Sequence, residues 1–265
     1  MTPCLSLRCL SLPCPALCRL VPVIAAFAFA ALLAPLLATE AGAAPVPPHH
    51  DADVDYDPVT RRLSVIDRIG VEGRDRIVLS FAPWLNLIET RIDRKPAATV
   101  PAAKGLALAL PGTGGHVIEI RLEGVVPELA GGRSRGGGAG GGAGSDGLYL
   151  PGHTDWLPAT GDETITYELR TRMTLPFRAV ATGRLVNDGD DGKAPRATIT
   201  AERPMEPPSL FAGPYRIPEA TPGPGRLRTS FHAQLAPLAT ALPHRAAPLL
   251  SRHRPRRGPY PCPDL

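Results

Sequence analysis

Thr164-Ile165-Thr166-Tyr167-Glu168-Leu169-Arg170-Thr171-Arg172-Met173 alternates polar and apolar residues along most of its length. In an extended chain Ile165, Tyr167 and Leu169 fall on one face and Thr166, Glu168 and Arg170 on the other, the period-two pattern of a half-buried β-strand. The same signal recurs on both sides. Residues 117–122 alternate and stop at Gly124, and residues 62–66 follow the turn signal Asp57-Pro58-Val59-Thr60. Residues 77–81 are a short apolar run, and residues 85–90 are apolar on both faces near their middle. Residues 177–186 lead through Asn187-Asp188-Gly189-Asp190-Asp191-Gly192, which has hairpin-turn composition, into residues 196–201. Strands at this spacing predict an all-β domain over residues 45–231, an antiparallel β-sandwich or saddle. No spacing of the βαβ kind argues for a doubly wound sheet.

Composition narrows the choice further. The chain has 265 residues and 32 prolines, and interior prolines break helices, so a helical bundle is excluded. Hydrophobic residues make up 43%, and they alternate in blocks, which excludes a collagen-like or wholly disordered chain. Lys and Arg number 29 against 25 Asp and Glu, mixed along the sequence, so no strong field for nucleic acid arises.

Residues 1–44 read as export sequence. Arg8 and Arg19 precede an uncharged Ala/Leu/Phe run at residues 21–38, and Ala41 and Ala43 supply a small-residue cleavage pattern. The alternative is a membrane anchor over residues 21–38, weakened by Pro22 and Pro35. Either way the expected location is exported, periplasmic or extracellular, with membrane contact only through an uncleaved leader. Cys4, Cys9, Cys14 and Cys18 lie in the leader, so only Cys262 remains after cleavage and no disulfide framework is expected. Residues 131–147 are Gly-rich and are expected to form a flexible insertion whose deletion costs little stability. Residues 232–265, rich in Pro and Arg, are expected to be poorly ordered.

Candidate chemistry is sparse. His49 and His50 followed by Asp51, Asp53, Asp55 and Asp57 could gather a hard cation, but Tyr56 and Arg62 occupy the places where a calcium loop needs Gly and Glu. A solvated terminus is the simpler expectation. Gly136-Gly137-Gly138-Ala139-Gly140-Gly141 matches the dinucleotide pattern without a strand before it or a helix after it, and Gly112-Thr113-Gly114-Gly115 reads as a turn. No Gly-x-Ser-x-Gly elbow occurs, and Cys262 sits among prolines. Tyr149 and Trp156, bracketed by Pro151 and Pro158, stand out in a chain with 5% aromatics. Trp156 is expected as a buried plug at a strand-to-loop corner; the functional alternative makes Tyr149 and Trp156 ligand-facing or domain-facing.

The collinear set Tyr56-Asp57-Pro58, Leu148-Tyr149-Leu150-Pro151, Trp156-Leu157-Pro158, Tyr167-Glu168-Leu169, Leu175-Pro176, residues 179–185, Ala212-Gly213-Pro214-Tyr215 and Gly258-Pro259-Tyr260-Pro261 resembles the amino-terminal region of zinc aminopeptidases of the membrane alanyl aminopeptidase type. The resemblance implies a β-rich first domain, shaped as a saddle, that buttresses a catalytic domain and walls part of its substrate cavity. Members of that family hold zinc with His-Glu-x-x-His on a helix and a downstream Glu. This chain contains no His-Glu-x-x-His, and the Gly-x-Met-Glu-Asn strand that binds the substrate amine is also missing. No catalytic or metal residue carries over, and no cofactor is expected in this chain, zinc belonging to the full-length family. The expectation is therefore a truncated, non-catalytic domain, not itself an enzyme, whose partner is a separate or missing catalytic domain. The alternative is a free-standing exported β-sandwich that binds a peptide or glycan through a sheet edge or the Trp156 loop.

Overall fold

A computed structural model describes residues 46–103, 105–129, 140–161, 164–190, 192, 194–217, 219–220 and 227–235. The expected leader, the centre of the Gly-rich segment, Cys262 and the Pro/Arg-rich end from residue 236 lie outside the described residues. The described residues are almost entirely β, with strands numbered here in chain order. One sheet sets eight strands side by side: β13 (Arg184–Asp190), β14 (Pro195–Met205), β11 (Ile165–Met173), β1 (His49–Asp57), β2 (Arg62–Val71), β8 (His116–Val125), β4 (Leu85–Ile92) and β5 (Lys95–Pro96). A second has four: β12 (Arg178–Ala181), β15 (Leu210–Gly213), β10 (Gly147–Leu150) and β9 (Gly142–Gly144). A third has three: β3 (Arg76–Leu79), β7 (Gly105–Ala109) and β6 (Val100–Ala102). β16 (Tyr215–Arg216) pairs with β19 (Phe231–His232), and β17 (Glu219–Ala220) pairs with β18 (Leu227–Arg228).

The alternation read from the sequence becomes the two faces of the large sheet. Ile165, Tyr167, Leu169 and Met173 of β11 are buried, as are Val54 and Tyr56 of β1, Leu63, Val65 and Ile69 of β2, and Ile118, Ile120 and Leu122 of β8. They join one core with Leu148, Leu150, Leu210 and Ala212 of the four-stranded sheet and Ile77, Leu79 and Leu108 of the three-stranded one. Trp156, just after β10, is fully buried in that core, and its indole N–H donates to the Pro208 carbonyl at 2.9 Å. It thereby ties the loop after β10 to the loop before β15 and satisfies the one polar group a buried indole carries.

Three features depart from the sequence reading. Residues 49–53, expected within a solvated terminus, join residues 54–57 in β1 near the middle of the large sheet, paired antiparallel with β2 and parallel with β11. The parallel pairing makes the sheet mixed rather than purely antiparallel; it joins segments 117 residues apart, so no hairpin turn in the sequence announces it. The Gly-rich segment is not all insertion: Gly142–Gly144 and Gly147 are paired strand residues, and Ala143 is fully buried. Its amide donates to the Pro127 carbonyl, and its carbonyl accepts from the Leu129 amide. Deleting residues 131–147 would therefore remove core. Asn187–Asp190, expected as a turn, continues β13, and the turn follows with Gly192 at φ 78°.

The apolar ambiguity of residues 85–90 also resolves. β4 shifts register against β8 between Leu87 and Glu89, so Ile88 is the extra residue of a bulge and faces solvent.

Candidate functional site

The outward face of the large sheet is a field of ion pairs. Register places Glu168 of β11, Asp51 of β1, Arg68 of β2, Glu119 of β8 and Arg91 of β4 in one row across five strands. Arg170 Nε lies 2.7 Å from Asp53 Oδ1 and its Nη1 2.8 Å from Glu168, and the same guanidinium pairs with Asp51. Arg68 bridges Asp53 at 2.9 Å and Glu119 at 3.2 Å. Burial pushes the Asp53 carboxyl up, but hydrogen bonds from Arg170 and Arg68 outweigh it and hold the group below the ordinary carboxylate range. The aspartates that looked like cation ligands are thus neutralised by arginines. Asp57, beyond them, accepts from the Val59 amide at 3.0 Å and the Thr60 hydroxyl at 2.7 Å, closing the turn into β2.

The other face of β1 carries a buried polar pair. His50 Nδ1 lies 2.7 Å from Asp67 Oδ2, both side chains being almost wholly buried, while His50 Nε2 and Asp67 Oδ1 have no hydrogen-bond partner. Two such groups fix the alignment of β1 on β2 but fall short of a metal centre. Among the described residues no three His, Cys, Asp or Glu side chains are grouped to hold a metal ion.

A cleft of about 320 Å³ opens where β1, β2 and β11 meet, lined by Asp55, Tyr56, Asp57, Arg62, Ser64 and Arg172 among others. Burial raises the Asp55 carboxyl, with Arg172 3.8 Å away pulling the other way. Arg62 is taken up by Glu123 and Asp57 by the turn, so the charges lining the cleft are largely spent within the chain.

Tyr149 and Trp156, singled out together in the sequence, part company in the fold. Trp156 presents no surface to a ligand. Tyr149 is 41% exposed and packs on Phe211, 37% exposed, with ring centroids 5.2 Å apart. Cross-strand pairing extends this contact into a row on the outward face of the four-stranded sheet: Val180 of β12, Phe211 of β15, Tyr149 of β10 and Gly142 of β9. Leu129, 42% exposed, lies against Gly142, where an added Cβ would come within 3.0 Å of it. Of the neighbouring positions Gly144 is open, whereas Gly213 lies against the Tyr215 ring, whose hydroxyl also approaches Gly147. Arg178, which shares the face, is drawn towards Asp188 and Asp190. The sequence pointed to Tyr149; Phe211, 62 positions later in the chain, belongs with it only through the β10–β15 register.

No protein-family model matches the chain, and no curated protein matches it. Solved structures do. The M1 zinc metallopeptidase from Deinococcus radiodurans superimposes with a TM-score of 0.55 at 18% identity, over 71% of this chain and 48% of that one. A variant of a two-domain M1 zinc metallopeptidase bound to L-arginine gives 0.57 at 19%, over the same shares. The fold is that of part of an M1 zinc metallopeptidase. The β-rich fold implied by the sequence resemblance is the one found, and the match spans about half the length of the solved chains.

Proposed function

We propose that this chain is a non-catalytic β domain of a zinc-metallopeptidase-like protein, whose work is to buttress a catalytic domain and wall its substrate cavity. The observation that carries the reading is the partial match, which takes in most of this chain but only 48% of the metallopeptidase. The sequence adds that no His-Glu-x-x-His is present to hold a catalytic zinc. Export through residues 1–44 belongs to the same reading.

Binding of a peptide along a sheet edge is less favoured, because four of the six edges of the three larger sheets are blunted. β5 ends in Pro96 and β6 contains Pro101, each lacking an amide to donate. β9 is already engaged by residues 127–129. β13 is bulged at Val186 and has Asp188 and Asp190 paired to Arg228 and Arg178.

The test is hydrolysis of aminoacyl anilides by the purified full chain, with and without added zinc. The expected rate is that of buffer alone. Turnover that a chelator abolishes would overturn the reading.

A further inference from the structure

We infer that the cleft where β1, β2 and β11 meet is a binding site for a neutral sugar, held by Asp55, Ser64 and Arg172. The alternate aspartates of β1 single out the place. Asp51 and Asp53 accept hydrogen bonds from Arg170, Asp53 a further one from Arg68, and Asp57 is held by the turn into β2. Asp55 is left without one: Arg172, at the paired position of β11, stands 3.8 Å away, beyond hydrogen-bond reach. Register puts Ser64 on its other side, and all three residues line the cleft. A second group there is unspent. Tyr56 is 2% exposed, and its hydroxyl is buried with no partner, a state that folded chains seldom tolerate without a reason.

The lining selects the ligand. The carboxylates of Asp55 and Asp57 are matched by the guanidiniums of Arg62 and Arg172, so the cleft has no net charge with which to attract an ion. Asp55 accepts hydrogen bonds, Arg172 donates them and Ser64 does both; the ligand group that answers all three is a hydroxyl, itself donor and acceptor. Met173 and Ala194 add apolar surface for C–H groups. The volume of about 320 Å³ lies within the range of about 300–1,000 Å³ usual for small-molecule sites. A neutral molecule that carries both hydroxyls and C–H faces is a sugar.

The experiment titrates the full chain with D-glucose, D-galactose, N-acetyl-D-glucosamine and maltose in turn, followed by calorimetry and by saturation-transfer NMR so that a complex formed without heat is also seen. Saturable binding of at least one sugar below ~10 mM is expected. Asp55→Ala should weaken it at least ~10-fold, the worth of a hydrogen bond to a charged acceptor, and because the Asp55 side chain is 58% exposed the variant keeps the fold by circular dichroism. Ser64→Ala should weaken it several-fold. Glu89→Gln, on β4 and outside the cleft, should change nothing. Equal binding by the Asp55→Ala and Ser64→Ala chains would overturn the site, and no binding of any of the four sugars at ~10 mM would overturn the ligand. Binding of L-alanine or inorganic phosphate with none of the sugars would give the cleft to a charged ligand and likewise overturn it. The hydrolysis assay judges the function proposed above and is independent of this cleft.

Discussion

The outward faces of the two larger sheets solve the same problem in opposite ways. On the eight-stranded sheet every strand from β11 to β4 contributes a charged side chain that finds its opposite on the next strand, and the face is complete within the chain. On the four-stranded sheet the corresponding positions hold aromatics, a valine, glycines and one charge, Arg178, which is drawn to the aspartates of β13. Both sheets turn apolar residues inward to one core, so the difference does not come from folding requirements. A face that folding leaves free to vary is where function leaves its mark.

Substitutions can break the comparison at its foundations or at its surface. The largest effect is expected beneath the four-stranded sheet. Trp156→Ala removes a fully buried ring and strands the Pro208 carbonyl, and should cost about 3–5 kcal/mol in urea unfolding. Beneath the large sheet, Asp67→Ala leaves His50 buried without its partner and should cost about 3 kcal/mol. Replacing both residues by leucine should recover most of that loss, because no orphaned polar group remains.

At the surface the effects shrink and become distinguishable by salt. Arg170→Ala removes contacts to Asp51, Asp53 and Glu168, all about a third or more exposed, so solvent screening should limit the loss to about 1 kcal/mol, vanishing in 1 M salt. Tyr149→Ser should change stability by only about 0.5 kcal/mol, independent of salt, since its ring is already partly in water. Acid provides a further separation. Asp53 titrates below its unfolded value, so the folded chain binds fewer protons there. Its contribution is full above about pH 4 and is lost as pH falls through the folded value. Asp53→Asn should flatten the acid limb of the stability curve, while Tyr149→Ser should leave it unchanged.

How much of this was legible in the sequence depended on distance along the chain. Local alternation exposed β11, β8 and β2, because a strand with one buried face repeats every second residue. Trp156 was readable as a plug because so large an apolar ring seldom stays in water. His49 and His50 were misread, because two histidines ahead of alternating aspartates look solvated until β2 and β11 close on both sides and arginines neutralise the charge. Gly142–Gly144 hid because glycine carries no strand signal, and its place in the sheet is imposed by β10 and by residues 127–129. The Tyr149–Phe211 row needed register across four strands, which no local pattern encodes.

The most direct test of the contrast between surface and core aromatics is hydroxyl-radical footprinting of the full chain. Tyr149 and Phe211 should be oxidised in the folded chain while Trp156, buried in the core, is protected until urea unfolds it. Oxidation of Trp156 in the folded chain with Tyr149 and Phe211 protected would contradict the account.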